Sequence, residues 1–102
     1  VLFIGSGNIV HNLRRLSFEP GVVFDWAVEF DAFAKENILA HNIKRLANAR
    51  GETESSRYAI EFDDHYRPLL AIMSLLDPSE NISFFNESLD MGSLSMRSFI
   101  AS

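Results

Sequence analysis

The sequence predicts an α/β fold, and three observations carry that prediction. A continuous apolar run, Val1-Leu2-Phe3-Ile4, ends in Gly5-Ser6-Gly7, as a strand covered on both faces would. Apolar residues at helical spacing dominate positions 25–76. Strand-like segments then return in "ISFF" and "SLSMRSFIA". The order strand, helices, strands is that of an α/β domain. The expected architecture is a partial sheet, with strands near 1–5, 82–86 and 93–101, packed with about three helices.

Taken in order, residues 12–23 mix polar and apolar positions, with Pro20-Gly21 as a turn signal. Asp25 is the expected N-cap of a helix starting at Trp26. Ala27, Phe30, Ala34 and Ile38 form one stripe, and Leu39, Ile43 and Leu46 a second that is out of phase with it. The region 25–50 is therefore one kinked helix or two helices meeting near Lys35-Glu36-Asn37, ended by Arg50-Gly51. "GETESSR", 51–57, reads as a linker: polar, short and without periodicity. A further helix runs over 63–76, capped by Asp63 or Asp64, with Pro68 early in it and Asp77-Pro78 as its stop. No internal repeat or low-complexity segment interrupts the chain.

Composition narrows the function. The 102 residues make one domain, 47% apolar and 23% charged. A net charge of −5 argues against nucleic acid, which calls for a basic face. The absence of cysteine excludes disulfide scaffolds, thiol nucleophiles and thiolate zinc sites, and fits a reducing compartment. No apolar run is long enough to span a bilayer and no basic leader precedes one, so the expectation is a soluble, cytoplasmic protein.

Several motifs carry little. Gly5-Ser6-Gly7 begins like a dinucleotide fingerprint, but Val10 stands at the third glycine and Arg14-Arg15 where a helix should open. A tight strand-end turn that uses glycine's φ freedom is the simpler reading, and phosphate capture by Gly7, Asn8 and Arg14 takes the same discount. Asn81-Ile82-Ser83 and Asn86-Glu87-Ser88 match glycosylation acceptors without a secretory signal. Ser93, Ser95 and Ser98 alternate with apolar residues as one wet strand face, and the acidic residues read as solvated helix faces.

The histidines carry more. His11 lies just beyond a strand end, where α/β folds gather functional groups. His65 lies in the expected first turn of a helix, whose N-terminus favours neutral imidazole, the form that binds metal or acts as base. His41, in "LAHNIK", is explained by a solvated helix face. No HxH or HExxH spacing is present, so any metal site must be assembled from distant segments.

The blocks "IGSGNIVHNL", "FDWAVEFD", "DDHYRPLL" and "MGSLSMRSF" resemble, in order and separation, the C-terminal part of the DOPA-type class III extradiol ring-cleavage dioxygenases. These belong to the superfamily of the protocatechuate dioxygenase catalytic subunit. The likeness spans nearly the whole chain, with 39–62 the least characteristic. It implies an α/β domain around a non-haem metal, ferrous iron in catalysis and zinc in some structures. His11 stands where the family places a metal-binding histidine, and His65 where it places another, described as ligand or as acid-base partner. The implied substrates are a dihydroxylated aromatic ring and dioxygen, as in aromatic catabolism.

Family members are more than twice this length, and their other metal-binding histidines lie in the N-terminal portion. The resemblance therefore implies that residues 1–102 are the C-terminal part of a longer catalytic domain, inactive alone, with that N-terminal part as its partner. A two-sided apolar run at 1–4 without neighbours also predicts some self-association. The other reading is a non-catalytic structural or interaction module that keeps the fold.

Overall fold

The computed structural model describes residues 2–19 and 21–102. Its α/β class is the expected one. Among these residues four α-helices, α1 (Asp25–Leu39), α2 (Ile43–Ala47), α3 (Glu54–Ala59) and α4 (Arg67–Leu75), precede four short strands. The strands are β1 (Ile82–Phe85), β2 (Leu89–Asp90), β3 (Leu94–Ser95) and β4 (Ser98–Ala101). They form two antiparallel pairs, β1 with β4 and β2 with β3, instead of one partial sheet.

The strand expected near 1–5 is absent among the described residues. Val1 lies outside them, and residues 2–8 belong to no strand. A strand is a pairing property: without a neighbour to take its N–H and C=O groups, an apolar segment is only extended chain. Leu2, Phe3 and Ile4 are 82%, 59% and 83% exposed. The inner strand role falls to residues 9–12 instead. There His11 bridges Ile60 in parallel and Leu94 antiparallel, the Ser95 N–H donates to the Val10 carbonyl, and Ile9 and Val10 are buried.

α1 buries Ala27, Phe30, Ala34 and Ile38, the first predicted stripe. Phe24 is its N-cap residue, and Asp25 lies inside the first turn, suited to the positive end of the helix dipole. The break falls at 40–42, later than Lys35-Glu36-Asn37, because that triplet still continues the buried stripe through Asn37 and Ile38. His41 takes a left-handed φ of 52° there and, half-buried, lies with Nε2 3.2 Å from the Glu80 carbonyl. It sits in the turn between α1 and α2, not on a mid-helix surface. Asn42 then caps α2, its Oδ1 accepting the Arg45 N–H.

The expected linker at 51–57 runs into α3, which begins at Glu54. Thr53 Oγ1 accepts the Ser56 N–H, and the Thr53 N–H donates to Ser56 Oγ, a reciprocal capping box. The expected helix over 63–76 is a 3-10 turn, Asp63–His65, followed by α4 with Pro68 in its first turn. The segment expected as a strand over 93–101 splits into β3 and β4. Arg97 turns inward between them, its side chain 8% exposed. Among the described residues no helix is long and apolar enough to cross a membrane.

Candidate functional site

His11 is fixed from both sides of its segment. Its N–H donates to the Ala59 carbonyl at 2.9 Å, at the C-terminal end of α3. On the other side the Asn12 N–H reaches the Ser93 carbonyl, and Ser93 Oγ donates to the Asn12 carbonyl at 2.7 Å. The Asn8 side-chain amide donates to the Ser95 carbonyl, and that of Asn12 to the Tyr58 carbonyl. Ser93 and Ser95 are thus buried, at 0% and 2% exposure, and do not line a wet face. Their hydroxyls tie strands together instead.

Behind this segment lies a buried ion pair. Arg97 grips Asp31 through Nε and Nη2, the latter 2.6 Å from Oδ2, and Ser95 Oγ donates to Asp31 Oδ1. Both charged side chains are 8% exposed. The hydrogen bonds to Asp31 hold the Arg97 guanidinium above its ordinary pKa, although burial opposes this. Asp31 is therefore not part of a solvated helix face. Its place gave a signal: it lies four residues after Ala27 and three before Ala34, on the buried stripe.

His65 ends the turn Asp63–His65, one residue ahead of Tyr66 and so outside the first turn of α4. Tyr66 pins that turn. Its N–H bonds the Asp63 carbonyl, its buried hydroxyl donates to the Leu46 carbonyl at 2.8 Å, and burial pushes the phenol's pKa up.

The fold brings the two predicted histidines together. The rings of His11 and His65 stack with centroids 3.8 Å apart and planes 11° from parallel. The His65 side chain is 42% exposed, and its Nε2 lies 4.0 Å from Asp64 Oδ2. Burial lowers the His11 pKa, and the charge of a protonated His65 lowers it further. The Asp64 and Glu61 carboxylates and a backbone bond pull the other way. Glu61 is itself paired with Arg14 at 2.6 Å. His41, bonded near Glu80, belongs to another part of the fold.

Two adjacent imidazoles fit the donor chemistry of iron or zinc. The nearly parallel planes require the rings to tilt apart before one ion meets both lone pairs. Among the described residues, no three histidine, cysteine, aspartate or glutamate side chains converge on one point.

Neither Gly5 nor Gly7 has the positive φ that a tight turn would use; among the described glycines that belongs to Gly21 and Gly92. Gly7 serves a different purpose. A Cβ there would run into the His65 carbonyl oxygen, so the chain crosses the back of His65 where only glycine fits.

No protein-family model matches the chain. It is similar to the 4,5-DOPA dioxygenase extradiol of Escherichia coli (strain K12), 31% identical over 105 residues, covering 96% of this chain and 37% of that protein. It is also similar to the crystal structure of an uncharacterized protein from Escherichia coli K12, with a TM-score of 0.82 and 32% identity, over 92% of this chain and 40% of that one. The chain spans well under half of either relative. These likenesses support the general extradiol dioxygenase resemblance and the fold.

Proposed function

We propose that this sequence is the C-terminal portion of a class III, non-haem metal-dependent extradiol dioxygenase that opens a catechol-type ring with dioxygen. The observation that carries the reading is the stacking of His11 on His65, two histidines from distant parts of the chain. The 31% identity to a protein named as an extradiol dioxygenase supports it. Because the chain spans 37% of that relative, the activity is assigned to a longer, cytoplasmic protein whose remaining part brings the other ligands. The isolated chain is expected to be inactive and to self-associate.

Ferrous iron, with zinc as the alternative imidazole-binding ion, supplies when bound the chelation of both diol oxygens and a place for dioxygen beside them. His11 is the metal-holding residue, since a segment bonded on both sides keeps its imidazole still. His65 is the second donor or the acid-base partner; both roles use a ring lone pair, so each excludes the other at any one moment. As base, His65 takes a proton from a diol hydroxyl and returns it as the ring carbon–carbon bond beside the diol breaks. Both atoms of dioxygen end in the opened product. Asp64 Oδ2 lies 4.0 Å from His65 Nε2.

The test uses the full-length protein that carries this sequence, loaded with ferrous iron and followed by oxygen uptake and product absorbance on simple catechols. His65→Ala is expected to lower turnover by roughly 10²- to 10⁴-fold, the usual worth of a positioned acid-base group. His11→Ala is expected to lose iron. Unchanged turnover in His65→Ala would end the acid-base assignment. The second reading is a non-catalytic structural or interaction module that keeps the fold. A full-length protein that binds no iron would decide for it.

A further inference from the structure

Residues 8–12 are held by backbone and amide bonds to Ala59, Tyr58, Ser93 and Ser95, a rail that does not give easily. The turn carrying His65 is held more lightly, chiefly by the Tyr66 N–H bond to Asp63 and the Tyr66 hydroxyl behind it. Gly7 lies where the two meet. A Cβ on Gly7 would overlap the His65 carbonyl oxygen and lie 3.2 Å from Pro68 Cγ. The obstructing atom at His65 is backbone and cannot rotate aside. We infer that Gly7 is the positioning residue of the histidine pair: its missing side chain lets the rail seat against the turn and sets His65 in register with His11.

Any side chain at position 7 pushes on the lighter partner, so His65 moves and the 3.8 Å stack opens. The functional consequence rests on the dioxygenase reading; the geometric claim does not. Gly51 provides the control, because a Cβ there meets no atom within 4 Å.

The experiment compares the wild-type chain with Gly7→Ala and Gly51→Ala by two readouts, the nuclear Overhauser contact between the His11 and His65 rings and the affinity for added zinc. Gly7→Ala is expected to lose the ring contact and about 10- to 100-fold in zinc affinity, the usual cost of removing a supporting residue. Its amide dispersion should stay native, and Gly51→Ala should match wild type. In a His65→Ala background, Gly7→Ala should change the zinc response of His11 no further, the mark of a residue acting through His65. A Gly7→Ala chain that keeps both the ring contact and the zinc affinity overturns the inference. Should wild type bind no zinc, the metal reading fails, yet the ring contact still decides the role of Gly7. If Gly7→Ala does not fold, Asn8→Ala, which removes one of the two bonds between the rail and Ser95 without adding atoms, is expected to weaken the ring contact; an unchanged contact overturns the inference.

Discussion

The His11 imidazole is held below its ordinary pKa first by burial and then by charge on the stacked His65 ring. Its NMR titration midpoint is expected below the ordinary 6.5, and His65→Ala should raise it by removing the second cause while leaving the first. The sign for stability follows. Between the two midpoints the unfolded chain binds the proton and the folded chain does not, so this contribution is complete above about pH 6.5 and is lost as pH falls. A His11 midpoint at or above 6.5 would contradict the assigned burial. Asp31 and Arg97 make a separate case: without Arg97 the buried Asp31 carboxylate keeps Ser95 Oγ but loses its counter-charge, whereas without Asp31 the guanidinium still meets Glu87. Arg97→Ala should cost about 3–5 kcal/mol in urea unfolding. The double variant with Asp31→Ala should cost less than the sum of the two singles. A loss under about 1 kcal/mol for Arg97→Ala would mean that the pair is solvated.

α3 is a short helix with a structural task, since its last residue, Ala59, offers the carbonyl that takes the His11 N–H. Thr53→Ala removes one side of the capping box and should cost about 1 kcal/mol. The His11 amide should then exchange with solvent faster than in wild type; unchanged exchange would uncouple α3 from the site. This helix was illegible in "GETESSR" because six residues show too little periodicity, and the capping pattern Thr53-x-x-Ser56 lacks the usual Glu or Gln. α1, α4 and β1 were legible because burial imposes a period on them that the sequence keeps. The strand expected near 1–5 failed for the opposite reason: apolar runs report burial tendency, whereas a strand needs a partner that composition does not name.

Leu2, Phe3 and Ile4 leave a contiguous apolar stretch open to solvent, with no strand partner among the described residues. Sedimentation of the chain at high concentration should show reversible association, reduced by Phe3→Ser with Ile4→Ser; a strictly monomeric profile would contradict it. The candidate site was legible in part. His11 and His65 could be named from position and resemblance, because each lies next to a recognisable element boundary. The Gly7 contact, the Asp64 neighbour and the buried Asp31–Arg97 brace depend on where distant segments cross, which no local pattern encodes. That the two histidines form one metal-holding unit is tested most directly by an anaerobic ferrous-iron titration of the chain, followed through the imidazole resonances. His11 and His65 should broaden together at the same iron concentrations while His41 stays sharp, and either alanine substitution should weaken the response of the remaining ring. Equal broadening of all three histidines, or none at any concentration, would contradict the account.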